Sequence, residues 1–219
     1  MGVSAPLAYK YVKRGWLTKL DHAVFGFPSD ELQRHKCVSF LAKRMSGLHV
    51  GGKTALAWRG VLHNVPAREQ MILWGRLPGR LPVWFTSRFP SRYISKRLFD
   101  SRMSDSFGLS ALPELPDGPH VSEPERALLE MLSEVGLRQS TEEGRQIMEG
   151  ARALRSEIIG TLLRHCLRVK VIRLCVQWAE ELKLPWATEA RRSMAKTRAD
   201  NRSRWTTRMK DGTTLVLKP

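Results

Sequence analysis

Three prolines within residues 110–121 (Pro113, Pro116 and Pro119) divide the chain into two stretches with different apolar periodicity. Proline lacks a backbone donor and fixes φ, so neither a helix nor a central strand runs through such a segment. Residues 110–121 therefore read as a linker. Upstream, apolar residues come in short runs. Met71-Ile-Leu-Trp74 and Val83-Trp-Phe85, separated by Leu77-Pro-Gly79, are predicted to be short strands. Downstream they recur at helical spacing. Ser122-Glu-Pro-Glu125 is a capping box that opens a helix with Ala127, Leu128, Met131 and Leu132 inward. Further helices are predicted over Thr141 to Leu154, Ile158 to Cys166 and Val169 to Leu182, the last with Ile172, Leu174, Cys175, Trp178 and Ala179 as its inner stripe. Asp211-Gly212, between Trp205 to Met209 and Thr213 to Leu217, predicts a terminal β-hairpin. The fold class is α+β, with a helical bundle in its C-terminal half.

The first residues make a second pattern. Ser4 suits a helix N-cap and Pro6 its first turn, Leu7, Tyr11 and Val12 fall at helical spacing, and Gly15 ends the helix. Trp16-Leu17 and Ala23-Val-Phe25 read as two short strands turning near Asp21-His22. A short helix followed by a hairpin is the last part of a winged helix-turn-helix, whose helix enters the major groove while the wing touches the backbone. Lys10, Lys13 and Arg14 fall on or beside the outer helix face, and Lys19 enters the hairpin. A plain amphipathic surface helix is the competing reading. Glu31 to Met45 is predicted as another helix with Leu32, Val38, Phe40 and Leu41 inward; Gly47 to Gly60 holds a Gly-Gly turn and a helix from Thr54. The domains are drawn at 1–46, a winged helix-turn-helix read as truncated at its N-terminus, and 47–219.

Charge narrows the class of partner. The 219 residues hold 37 Lys+Arg against 21 Asp+Glu, a formal +16, which attracts polyanions and nucleic acid above all. Charge serving solubility alone is the bland alternative. The excess is uneven: residues 1–60 carry a net +7, 61–110 a net +5, 111–150 a net −6 and 151–219 a net +10. The acidic middle cannot hold phosphates, so it either packs internally or meets something other than nucleic acid. In the C-terminal block Lys170, Arg173 and Gln177, at steps of three and four, are predicted to share one outer helix face, and Arg191, Arg192, Lys196 and Arg198 follow in a basic tail. With 42% hydrophobic residues the chain can fill a core. Cys37, Cys166 and Cys175 form no CxxC pair and suit buried thiols of a cytoplasmic protein. The start is too charged for a signal peptide, and no apolar run reaches a membrane span.

Gly47-Leu-His-Val-Gly-Gly52-Lys53-Thr54 spells the phosphate-binding pattern GxxxxGK[ST]. That motif must follow a buried strand, whereas Phe40 to Ser46 reads as a helix end carrying two charges, and no later strand ends in an aspartate for magnesium. The spelling is read as accidental. Six scattered histidines offer no zinc set, and Glu123, Glu125 and Glu130 suit a capped helix start. No catalytic residue, cofactor or metal is expected.

Tyr11-Val-Lys-Arg-Gly-Trp-Leu17 together with His49-Val-Gly-Gly-Lys-Thr-Ala-Leu56 resembles the AbiEi-type antitoxins of type IV toxin–antitoxin systems. The likeness continues through Gly60-Val-Leu-His63, Leu81-Pro-Val-Trp-Phe85, Ser122-Glu-Pro-Glu-Arg-Ala-Leu-Leu-Glu130 and Val169-Lys-Val-Ile-Arg-Leu174. It implies a DNA-binding repressor that recognises inverted repeats in double-stranded DNA at its own promoter. It also implies an antitoxin that counteracts a nucleotidyltransferase-like toxin without a stable complex, and contacts to DNA from Lys13, Lys170 and Arg173. The chain departs from the family pattern in starting inside the winged helix, in a wing (Leu20 to Phe25) that carries an acid, and in a more basic segment from Arg191 to Arg204. The alternatives are a basic nucleic-acid-binding protein without a toxin partner and a P-loop enzyme.

Overall fold

A computed structural model describes residues 4–62, 70–200, 205–208 and 214–217. Helix α1 (Ala5–Lys13) follows Ser4 in extended backbone, with Pro6 in its first turn, although the Ser4 side chain makes no capping bond. Gly15, at a φ of 73°, turns the chain out of the helix at an angle that a Cβ would resist. Strands β1 (Thr18–Asp21) and β2 (Val24–Gly26) then pair antiparallel, with Lys19 opposite Phe25. The expected helix and hairpin are therefore present, with two differences. β1 begins after Trp16-Leu17, and the buried residue of α1 is Ala8, while Leu7 is exposed.

Helix α2 (Arg34–Ala42), shorter than expected, buries Cys37, Val38 and Leu41. Beyond it stand β3 (His49–Val50), α3 (Gly52–Trp58), β4 (Met71–Trp74), α4 (Val83–Thr86), β5 (Ser91–Ile94), β6 (Leu109–Ser110) and β7 (Val121–Ser122). They build a five-stranded sheet in the order β5-β4-β3-β7-β6, in which β4/β5 and β3/β7 run parallel and β3/β4 and β6/β7 antiparallel. All four residues of β4 are buried, as a strand covered on both faces requires.

Two predicted features are corrected here. Val83-Trp84-Phe85 is helical, not a strand: Trp84 and Phe85 both point inward while Val83 is 79% exposed, an arrangement that strict alternation forbids. The turn belongs to the crossover that parallel β4 and β5 need. The proline-rich 110–121 stretch is not a linker between units, because Leu109 pairs with Ser122 and Ser110 with Val121, making it the connection between two adjacent strands of one sheet.

The helices are α5 (Pro124–Glu134), α6 (Thr141–Gly150), α7 (Ser156–His165), α8 (Val169–Glu181) and α9 (Ala187–Met194), followed by a 3-10 turn (Arg198–Asp200). Helix α5 is central. It packs on α3, α6, α7, α8 and β7, and every residue from Glu125 to Glu134 is buried. Its N-cap is Glu123 and no side chain caps it, so the expected capping box is not formed. Helix α6 does have a cap, Ser140 Oγ accepting from Glu143 N at 3.1 Å. Strands β8 (Trp205–Arg208) and β9 (Thr214–Leu217) pair antiparallel as the hairpin reading requires; the Asp211-Gly212 turn lies outside the described residues. The main hydrophobic core runs from Val24 and α2 through the sheet to α9 and Leu217, and Ile72, Trp74 and Ile94 form a second, smaller cluster.

Candidate nucleic-acid interface

Lys10, Lys13, Arg14 and Lys19 are all exposed. Lys10 and Lys13 lie in the last turn of α1, where cations favour the negative end of the helix dipole, so their positions have a structural motive as well as a functional one. Aromatic rings hold the other two: Arg14 lies 5.4 Å from the Trp16 ring centre and Lys19 Nζ lies 5.5 Å from that of Tyr9. These contacts bring cations from the helix end and from the wing strand onto one small unit. Asp21, the last residue of β1, accepts the His22 N–H at 2.7 Å.

The C-terminal cations are arranged otherwise than expected. Arg173 does not share an exposed face with Lys170. It is 2% exposed, and its Nε donates to the Ala199 carbonyl at 2.8 Å. Lys170 is half-buried, its ammonium donating to the Val135 carbonyl. Period-3.6 reasoning placed both outside because it counted only the apolar stripe. With α9 and the 3-10 turn packed over α8, six consecutive residues from Val171 to Val176 are buried. Arg191 makes a two-pronged contact with Glu180, at 2.7 and 2.6 Å, and Arg192 Nη1 reaches Glu189 at 2.7 Å. Lys196 and Arg198 are exposed. Helix α9, which overlaps the start of the segment read as a tail from Arg191, was not foreseen; its alanine and methionine spacing was the available signal.

Three acids of the acidic middle, Glu125, Glu130 and Glu134, turn inward. Glu130, 1% exposed, is the hub: Oε1 accepts from Arg126 Nε at 3.0 Å and lies 3.0 Å from His49 Nε2, while Oε2 accepts from Gly52 N at 3.0 Å and Ser122 Oγ at 2.8 Å. Burial opposes ionisation of Glu130, but His49, Arg126 and the donated hydrogen bonds outweigh it and hold the carboxyl below the usual range. Arg155 likewise holds Glu125 and Glu123 against the cost of burial. Arg59 donates to the Ser122, Ser110 and Val121 carbonyls and so fastens α3 to β6 and β7.

This hub also disposes of the phosphate-loop spelling. The amide at the start of α3 is taken by Glu130, and a Cβ at Gly51 would collide with that carboxylate and with the Trp74 ring. The paired glycines make room for an internal anion. Lys53 meets Glu143 at 3.0 Å, and Thr54 Oγ accepts from Ile72 N at 2.9 Å. Lys53→Ala is accordingly expected to leave nucleotide binding unchanged and absent. Magnesium-dependent ATP or GTP binding at micromolar affinity by calorimetry, lost in that variant, would overturn this reading.

Among the described residues no three His, Cys, Asp or Glu side chains gather as a metal set, and no helix is long and apolar enough to cross a membrane. The three cysteines are buried and unbridged, with burial pushing Cys166 up to about 12.

A helix ending in exposed cations and followed by a hairpin matches the last part of a winged helix-turn-helix. The family follows from two matches. Residues 1–67 match the model described as "Transcriptional regulator, AbiEi antitoxin N-terminal domain", and residues 68–213 match "Transcriptional regulator, AbiEi antitoxin, Type IV TA system". The chain belongs to the AbiEi family of transcriptional regulators and antitoxins. Among solved structures it is similar to the crystal structure of the RV2827C protein from Mycobacterium tuberculosis, at 15% identity and a TM-score of 0.58, over 94% of this chain and 78% of that one. At that identity the likeness speaks for the fold alone. No curated protein matches.

Proposed function

We propose that this chain is a non-enzymatic, cytoplasmic DNA-binding antitoxin that represses its own operon and counteracts a nucleotidyltransferase-like toxin without a stable complex. One observation carries the DNA half of the reading: in a family of transcriptional regulators, four cations stand exposed on the helix and wing of residues 1–46. The formal +16 of the chain supports it. The antitoxin half rests on family membership. Lys10, Lys13, Arg14 and Lys19 are the proposed N-terminal contacts to duplex phosphates, and Lys196 and Arg198 the C-terminal ones, with Arg191 and Arg192 beside them. Arg173, being buried, serves packing in this proposal. If about four to six phosphates are engaged, log affinity falls against log salt with a slope of about −4 to −5. The double variant Lys10→Glu/Lys13→Glu is expected to lose more than about tenfold in affinity at low salt and to flatten that slope by about two. Fluorescence anisotropy on a labelled duplex reads both; a wild-type slope of zero would sink the proposal.

A further inference from the structure

At the far end of α5 a single buried carboxylate faces more cations than it can neutralise. Glu134, 5% exposed at its side chain, has Lys96 Nζ at 2.5 Å, Arg92 Nη2 at 3.5 Å and Arg138 Nη1 at 3.7 Å. A fourth cation, Lys170, donates to the carbonyl of the adjoining Val135. The four come from β5, the loop after it, the α5–α6 turn and α8; Arg138 lies four residues beyond Glu134, and tertiary packing brings in the other three. Counted as charges, the locality holds four cations and one anion.

Among the described residues, Glu134 is the one acid that pairs with any of these cations. Like charges this close disfavour one another. Lys170 shows the strain: burial first, and then Lys96, lower it to about 8. Helix α8 adds to it. The helix starts beside the cluster with Arg168 as N-cap, no side-chain capping bond and no acid in its first turn. Cations thus crowd the positive end of a helix dipole, where acids are the stabilising choice. The heads are also within reach of solvent: the Arg138 side chain is 57% exposed, that of Lys96 35% and that of Arg92 24%.

We propose that Arg92, Lys96, Arg138 and Lys170, oriented by Glu134, form a cradle for a backbone phosphate of duplex DNA. The proposal rests on the DNA-binding reading above and adds Arg92, Lys96 and Arg138 to its contacts. Glu134 acts as the internal template: it gathers the cationic heads, and the charge it leaves uncompensated is available to a phosphodiester. Forked guanidinium groups suit phosphate oxygens better than an ammonium does, so Arg138, the most exposed, is the principal contact.

The test uses the full chain, a labelled duplex of mixed sequence, and three variants: Arg138→Glu, Lys96→Met and, as the control on the winged helix, Lys10→Glu. Arg138→Glu is expected to weaken binding by about tenfold at low salt and to flatten the salt slope by about one, with Lys96→Met weaker in the same direction. Melting temperatures identify any variant that has lost its fold, and Lys96→Met, which keeps the aliphatic stem, stands in if Arg138→Glu does so. Loss in Lys10→Glu with unchanged affinity and slope in both cluster variants would overturn the cradle and leave the DNA-binding reading intact. A wild-type chain with no salt-dependent binding would overturn both. Stabilisation by inorganic pyrophosphate that Arg138→Glu abolishes, without any change in duplex affinity, would also overturn the proposal by assigning the cluster to a small phosphate ligand.

Discussion

Glu130→Ala is expected to unfold the chain more readily than any other single truncation of a charged residue, costing about 3–5 kcal/mol against the ordinary 5–15 kcal/mol total of a folded domain. The carboxylate has four partners, and each loses a bond on its removal: Arg126, His49, the Gly52 amide and the Ser122 hydroxyl. Arg126 is 9% exposed and His49 4%, so water cannot replace the lost anion without the core opening. Glu130→Gln keeps the shape but not the charge, and an intermediate loss is expected. Acid should mimic the mutation. A carboxyl whose folded pKa is depressed contributes stability that is fully present above its unfolded value, here 4.5, and is lost as pH falls through the folded value. Glu125, held by Arg155, adds to the same window below 4.5. Urea midpoints measured down a pH series check this. A Glu130→Ala chain as stable as wild type at neutral pH would show the hub to be ornamental.

The second large effect belongs to Trp186. Its side chain is fully buried at the start of α9, and its Nε1 donates to the Ala151 carbonyl at 2.8 Å, tying α9 to the end of α6. Trp186→Ala removes the largest fully buried side chain among the described residues and orphans that carbonyl, for a loss on the order of 3–5 kcal/mol. Trp186→Phe retains most of the apolar volume and loses only the donor, so about 1–3 kcal/mol is expected. Denaturant unfolding separates the two. Equal midpoints for both variants would mean that the hydrogen bond, not packing, carries the energy.

Much of the architecture was legible because it rests on local signals. Ser4, Pro6 and Gly15 bracket α1, and the apolar spacing of α7 and α8 places both helices within a residue or two. What failed was whatever depends on partners far along the chain. Glu130 reads as an ordinary acid near a helix start; its His49 and Gly52 partners lie 81 and 78 residues away. Arg173 reads as a solvated cation because its cover, the 3-10 turn at Ala199, was taken for irregular tail. Val83 to Phe85 and the prolines of 110–121 were misread for the same reason: each is a connection inside a sheet whose strand order only the fold reveals. The acidic block was read as packing internally or meeting something other than nucleic acid, and the fold divides it: Glu125, Glu130 and Glu134 are buried, while Glu114, Asp117, Glu142 and Glu149 are exposed.

The Glu130 hub also bears on how members of such a family can be recombined. The border between the two matched family segments falls between residues 67 and 68, yet β3, α3 and Arg59, all before it, are bonded to β7 and to Glu130 beyond it. A chimera joined at that border would place one relative's His49 and Gly52 against another's carboxylate and would inherit any mismatch as an interior fault. A junction ahead of β3, near Ser46, leaves the ion-locked interior with its own parent and exposes the apolar contacts of Val24, Cys37, Val38 and Leu41 to mismatch.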